Sequence, residues 1–260
     1  MGRACVTMIR LDRVKKSYGD KEVLKDVSLE VRKRELLCLV GPNGSGKTTT
    51  LNVLAGLSRP DAGAVLINGV MMDGRAGNRL VHVNPSGRKI GYMFQEYALF
   101  PHMTVRENIS YGLKARHMQK HEMKERTHRL LEFVGLLDHS EHYPQQLSGG
   151  QKQKTALARA LAIEPEILLL DEPLSALDSG SRESLRVELK KILGALEVTT
   201  IYVTHELAEA YEVSDRIAVM GPGRIEQTGS REEVFSKPTP YVAQFIGRHI
   251  HNGNGQPCRQ

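Results

Sequence analysis

An α/β fold built on an open, largely parallel sheet is the class this sequence predicts, on three observations. First, Leu36-Leu37-Cys38-Leu39-Val40 is a short apolar run that leads straight into Gly41-Pro42-Asn43-Gly44-Ser45-Gly46-Lys47-Thr48. Second, Ile167 to Leu170 and Thr200 to Val203 are continuous apolar runs, short enough for strands buried on both faces. Third, helical stretches separate these runs, as parallel strands joined by crossover helices require.

The glycine-rich run fits G-x-x-x-x-G-K-[ST], the pattern of a phosphate-binding loop. With glycine at about 7% of average composition, a chance match is on the order of one per cent in a chain this long. Glycines let successive backbone N–H groups curl round a phosphate. A helix over Gly46 to Leu57, with Leu51, Leu54 and Leu57 on one face, adds the partial positive charge of its N-terminus. Lys47 then reaches the β- and γ-phosphates of a nucleotide, and the Thr48 hydroxyl ligates Mg²⁺. Thr49 completes the first turn of phosphate-binding residues.

The run Ile167 to Leu170 ends in Asp171-Glu172-Pro173. Ligands of open α/β sheets bind beyond the carboxyl ends of the strands, so Asp171 is placed to hold Mg²⁺ directly or through water. Glu172, one step further out, polarises an attacking water as a general base. Leu147-Ser148-Gly149-Gly150-Gln151 opens a long helix with paired glycines, a second concave set of N–H donors. Ser148 alone would serve as an ordinary helix cap, which leaves the glycine pair and Gln151 unexplained.

Composition narrows the classes. The 260 residues are 40% hydrophobic and 25% charged, ordinary for a globular chain, with no Trp. No apolar stretch approaches the roughly 20 residues of a membrane span. Met1 to Thr7 lacks the apolar segment of a secretory signal, so a cytoplasmic location is expected; Met8 is an alternative start. The formal charge of +6 is spread among acids, as in Glu122-Met123-Lys124-Glu125-Arg126, which favours solvated faces over a nucleic-acid site. Cys5, Cys38 and Cys258 are an odd set without C-x-x-C spacing, so neither a zinc site nor a disulfide framework is expected.

Along the chain, Met8 to Leu11 and Val23 to Val31 read as strands, and Arg59-Pro60-Asp61 ends the helix after the phosphate loop. Ala64 to Ile67 is a strand entering an Asn68-Gly69 turn. Met72 to Lys89 reads as an irregular excursion and Ile90 to Phe94 as a strand. His117 to Leu137 forms a mostly helical stretch with Leu130, Leu131, Val134 and Leu137 on its apolar face, and Gln153 to Ile163 another helix. His117 and His121 stand at the spacing of a helical metal clamp, without acidic or Cys partners nearby. Ile217 to Met220 and Ile225 to Thr228 flank Gly221-Pro222-Gly223 as a hairpin, and a polar tail begins at His249.

Taken in order, the phosphate loop, Gln95, Leu-Ser-Gly-Gly-Gln, the acidic pair and His205 make the chain resemble the ATP-binding subunit of an ABC transporter, from about Met8 to Gly247. The resemblance implies a P-loop NTPase core with an antiparallel β subdomain and an inserted helical subdomain at about 101–160, over a domain of 8–247 and an unstructured tail of 248–260. It implies that Tyr18 stacks on adenine and that Gln95 contacts Mg²⁺ and senses the γ-phosphate. Ser148, Gly149, Gly150 and Gln151 would bind the γ-phosphate held by a second cassette. Ser175-Ala176-Leu177-Asp178 would lie across that dimer interface, and His205 would hydrogen-bond the γ-phosphate. Lys154 departs from the family, where Arg is usual.

The segment Tyr97 to Ile109 resembles the groove in which importers receive a helix of the permease. The group implied handles molybdate, sulfate, polyamines, ferric iron and sugars. The long excursion before Gln95 favours an oxyanion, molybdate or tungstate. The expected cofactors are ATP and Mg²⁺. The expected partners are membrane permease subunits, a second cassette and, indirectly, a solute-binding protein, at the cytoplasmic face of the membrane. The C-terminal β-domain of many group members is not expected here. The rival class, a soluble cassette ATPase acting on nucleic acid or ribosomes, usually carries paired cassettes, zinc-binding Cys pairs or coiled coils, and none is present in the sequence.

Overall fold

The computed structural model describes residues 6–175 and 179–252, without the side chains of 179–181 and 248–252. The chain divides into two compact units, Met1–Asn84 with Ile201–Gln260 and Pro85–Thr200.

In the first unit, β1 (Thr7–Tyr18) and β2 (Lys21–Arg32) form a long antiparallel pair. Ile9, Leu11 and Val14 of β1 and Leu24, Val27, Leu29 and Val31 of β2 are buried, the alternation expected of a sheet with one covered face. β3 (Leu36–Val40) feeds the glycine loop and α1 (Lys47–Ala55). Gly56 ends α1 in the left-handed region, its N–H bonding back to Asn52 and Val53. Leu57 therefore leaves the helix and is 52% exposed, whereas Leu51 and Leu54 are buried; the expected three-residue apolar face has two members.

β4 (Ala62–Ile67) and β5 (Val70–Ala76) are joined through Asn68 and Gly69, both at positive φ as a two-residue hairpin demands. The stretch expected to be irregular is largely a second hairpin. β5 pairs with β6 (Arg79–His82) from Asp73↔His82 to Ala76↔Arg79, and a single 3₁₀ turn follows at Pro85–Gly87. β6 is the edge of a five-stranded sheet ordered β2-β1-β4-β5-β6 and buries none of its residues, so it shows no hydrophobic alternation to read.

The first strand of the second unit, after that 3₁₀ turn, is β7 (Ile90–Met93). α2 (Val105–Ala115) lies inside the helical region expected at about 101–160 but was not read as an element of its own; Thr104 and Glu107 close a capping box over its first turn. α3 (Lys120–Phe133) is a separate helix, because His117 turns to φ 56 between them. His117 and His121 therefore do not share a helix face, and His121 lies 3.7 Å from Glu125 one turn on, which corrects the expectation that no acidic partner stands nearby. Leu131 and Val134 are buried with Val105, Ile109 and Leu113, and Leu130 packs against them, but Leu137 falls in a 3₁₀ turn and is exposed. α4 (Gly149–Ala162) starts four residues before the expected Gln153, and β8 (Ile167–Asp171) pairs in parallel with β7. α5 (Ser179–Ala195) follows.

β9 (Thr199–Thr204) leads back into the first unit, where α6 (Leu207–Val213) precedes β10 (Arg216–Met220) and β11 (Ile225–Ser230). β10 runs parallel to β3 and antiparallel to β11, so the Gly221-Pro222-Gly223 hairpin forms as read. α7 (Arg231–Ser236) and α8 (Pro240–Asn252) complete the chain. α8 runs through His249 to Asn252, correcting the expected start of the tail; residues 253–260 lie outside the described residues.

Two glycines of the second unit respond oppositely to a methyl group. A Cβ on Gly91 of β7 would sit 2.4 Å from the Ala160 carbonyl oxygen, whereas one on Gly194 of α5 meets nothing within 4 Å. Gly91→Ala is expected to lose about 1–3 kcal/mol through overpacking. Gly194→Ala should gain up to about 1 kcal/mol through helix propensity. Thermal denaturation of the two variants checks the pair.

Candidate functional site

In the first unit, α1 begins at Lys47 with Gly46 at φ 109, no capping side chain and no acid in its first turn. No side chain among the described residues caps the positive end of the helix, where an anion is favoured. The Lys47 ammonium is buried and donates to the carbonyls of Gly41 at 2.8 Å and Pro42 at 3.1 Å. Ser45 Oγ is buried without a hydrogen-bond partner among the described residues. A buried hydroxyl with no partner among the described residues, in the same loop as a buried ammonium and at a helix start without a capping side chain, is the chemistry a phosphate oxygen satisfies. Thr48 is exposed and Thr49 half-buried, while Pro42, Asn43 and Gly44 form the outer part of the loop.

The loop is braced from behind by an element that the sequence offered only as a hairpin. The Gly223 N–H donates to Ser45 O at 3.0 Å, and Gly223 O accepts from Lys25 N–H at 2.7 Å. A Cβ on Gly41 would lie 2.2 Å from Met220 O, and one on Gly46 would meet Leu24 at 2.8 Å and the Met220 side chain at 2.9 Å. Motif spacing shows which glycines the loop has, and only the fold shows what presses on them.

Tyr18 ends β1 with its ring half exposed and its hydroxyl 3.1 Å from Ser58 Oγ. Asp61 holds the preceding residues: its carboxylate accepts from Ser17 N–H at 2.6 Å and from Lys16 Nζ at 3.0 Å. These bonds, the backbone one first, hold the Asp61 pKa below the ordinary carboxylate range. Neither Ser58 nor Asp61 carries a motif that reading could have found. His205 directly follows β9 and is half-buried.

In the second unit, Asp171 is the last residue of β8 and is only 2% exposed. Tyr92 OH donates to it at 3.5 Å, and burial, reinforced by the Asp171 charge, pushes the Tyr92 phenol well above its ordinary pKa. Tyr92 is therefore a permanent donor there. Glu172 adopts φ 45, a left-handed conformation costly for a residue with a side chain. Its Oε2 accepts from Gln95 Nε2 at 3.1 Å, so the geometry brings these two predicted residues together.

Ser148 caps α4 in a closed box: its hydroxyl accepts from Gln151 N–H at 3.3 Å, and Gln151 Oε1 accepts from Ser148 N–H at 2.8 Å. Gly149 and Gly150 form the first turn, and a Cβ on Gly150 would lie 2.9 Å from Leu185. Lys154 pairs with Glu188 at 2.6 Å through a single ammonium contact. Ser175 donates to Glu172 O at 2.9 Å; Ala176, Leu177 and Asp178 lie outside the described residues.

A hollow of about 880 Å³ on the antiparallel sheet, bordered by Arg13, Arg59, Asp73 and His82, contains none of the predicted residues. His82 and Asp73 pair within it at 2.6 Å. No group of three or more His, Cys, Asp or Glu suited to a metal occurs among the described residues.

Cys38, behind the phosphate loop in β3, is fully buried, which pushes its thiol well above the ordinary value. A raised pKa keeps it protonated and unreactive at pH 8. Iodoacetamide followed by peptide mass spectrometry should leave Cys38 unmodified in native protein and alkylate it in denaturant.

Comparison with known proteins extends this geometry. The profile of the family described as ABC transporter matches residues 24–175. The sulfate/thiosulfate import ATP-binding protein of Synechocystis sp. is 46% identical over 240 residues, covering 92% of this chain and 65% of that protein. The protein of the same description from Nocardia farcinica is 47% identical over 241 residues, 92% of this chain and 70% of its own. The chain thus spans about two thirds of the length of these relatives. A solved dimeric ATP-binding cassette in a post-hydrolysis state bound to ADP and Pi superposes with a TM-score of 0.73 at 33% identity, over 86% of this chain and 99% of that one. With its phosphate loop, its glycine-rich helix start and its acidic strand end in this company, the chain belongs to the ABC transporter family.

Proposed function

We propose that the chain binds and hydrolyses ATP as the energy-supplying subunit of an importer for a tetrahedral oxyanion. The observation that carries the nucleotide reading is the uncapped start of α1 with the buried Ser45 hydroxyl and Lys47 beside it. In this reading Tyr18 stacks on adenine and residues 41–49 hold the phosphates. Thr48, Gln95 and Asp171 supply oxygen donors of the kind Mg²⁺ takes. Mg²⁺, when bound, neutralises charge developing on the phosphate oxygens. Glu172 accepts the proton of the attacking water and His205 hydrogen-bonds the γ-phosphate. Ser148 to Gln151 and Asp178 serve the nucleotide of a second cassette, a pairing supported by the dimeric solved relative.

The relatives named above are described as sulfate/thiosulfate import ATP-binding proteins, which makes a sulfur oxyanion our preferred cargo over the molybdate or tungstate the sequence suggested. Among the described residues no helix is long and apolar enough to cross a membrane. The reading therefore requires separate permease subunits, with the cassette on their cytoplasmic side and a solute-binding protein acting through them. It invokes no nucleic acid.

Lys47→Ala removes a charge-assisted phosphate contact and should weaken ATP binding or the transition state by about 2–4 kcal/mol. Unchanged hydrolysis would overturn the phosphate-site reading. Glu172→Gln keeps size and hydrogen bonding but not basicity, so turnover should fall by about 10²–10⁴-fold while ATP binding survives. Size-exclusion chromatography in Mg·ATP should then show the variant as a dimer; hydrolysis at the wild-type rate would remove Glu172 from the role. For the cargo, ATPase activity of the reconstituted complex should rise with sulfate or thiosulfate. Stimulation by molybdate alone would return the assignment to the other oxyanions.

A further inference from the structure

Between Gln95 and α2 the chain makes a corner that costs energy to hold. Tyr97 and Ala98 both adopt positive φ, at 62° and 46°, where side-chain-bearing residues are strained. Arg159 of α4 answers both carbonyls at once, through Nη2 to Tyr97 O at 2.7 Å and Nη1 to Ala98 O at 2.6 Å. Its guanidinium also lies 5.5 Å from the centre of the Phe100 ring. Asn108 separately pins the far side of the corner, accepting from Phe100 N–H at 2.8 Å and donating to the carbonyls of Phe100, Met103 and Thr104.

The near side of the corner touches the acidic strand end. Tyr97 is buried, and its hydroxyl donates to Pro173 O at 3.3 Å, next to Glu172. Two residues before Tyr97, Gln95 donates to the Glu172 carboxylate at 3.1 Å. Residues 95–97 thus grip residues 172–173 at two points. Arg159 fixes the strained end of that grip from the helix that Ser148 caps.

We propose that Arg159 is a positioning residue for hydrolysis, holding the Tyr97–Ala98 corner so that Gln95 keeps the Glu172 carboxylate in its working orientation. The guanidinium suits the task because its planar fork bonds both carbonyls simultaneously, which an ammonium on a flexible stem does not. Arg159 touches neither Glu172 nor the reacting atoms, so its effect belongs in turnover and not in nucleotide affinity. The inference rests on Glu172 being the general base.

The test compares Arg159→Met, which keeps a long apolar stem for packing, with Arg159→Lys and Glu172→Gln, alone and combined. The expected result is a loss of about 10-fold or more in kcat for Arg159→Met, with the dissociation constant for a fluorescent ATP analogue within about 2-fold of wild type. Arg159→Lys should recover part of the loss. In the Glu172→Gln background the Met substitution should lower the residual rate by less than about 2-fold, because the group it positions is already gone. Equal loss in both backgrounds, or a loss confined to nucleotide affinity or to melting temperature, would make Arg159 a purely structural residue. Wild-type turnover in Arg159→Met with Glu172→Gln impaired would overturn the inference alone. Wild-type turnover in Glu172→Gln would overturn the general-base reading beneath it.

Discussion

The carbonyl oxygen of Met220 stands where residue 41 would otherwise carry a side chain, and the phosphate loop is shaped by that exclusion. With 2.2 Å available to a Cβ, only a glycine fits at the start of the loop. The parallel pairing of β10 with β3 brings that carbonyl there, because Val219 sits opposite Val40 and the next residues of both strands approach at their ends. The Gly221–Gly223 turn then closes over the loop, one bond to Ser45 and one to Lys25. Three segments distant in sequence thereby hold one backbone conformation, which lets Lys47 and the start of α1 converge without help from a cap.

What the sequence made legible depended on whether a residue's role was local. The phosphate loop, the acidic end of β8 and the capped glycine pair at Ser148 each carry their chemistry in consecutive residues, and each lies at the strand end or helix start that its pattern implied. The hairpin at Gly221 was legible as a turn because glycine and proline punctuate it, but its contact with Ser45 is tertiary and leaves no spacing to read. β6 was missed because an edge strand that buries nothing has no alternation, and α2 because its start, Thr104 to Glu107, follows an apolar stretch that hides the change of period. The single helix read from His117 to Leu137 failed at one backbone angle, that of His117 itself.

Arg159 and Asp61 illustrate a second limit. Each is an unremarkable residue in sequence, an arginine within an Ala- and Leu-rich helix and an aspartate after a proline. Both act on backbone groups, Arg159 on the carbonyls of Tyr97 and Ala98, Asp61 on the N–H of Ser17. Backbone partners have no sequence signature, so side chains that serve them stay hidden until the chain is folded. Their backbone partners lie within a few residues of Gln95 and Tyr18, which the family resemblance singles out, so those residues depend on supports that no motif reports.

Glu172 sets stability against chemistry. Its left-handed backbone is a conformation that glycine or asparagine adopts at little cost and glutamate does not, with a difference of about 1–3 kcal/mol at such positions. The residue proposed as the base is therefore also a place where the wild-type chain is under tension. Selection for thermal resistance alone would drift towards the small residues at 172 and carry the protein away from turnover while improving its fold. A carboxylate retained at this position under mutation would mark selection for catalysis, since folding by itself rewards its loss.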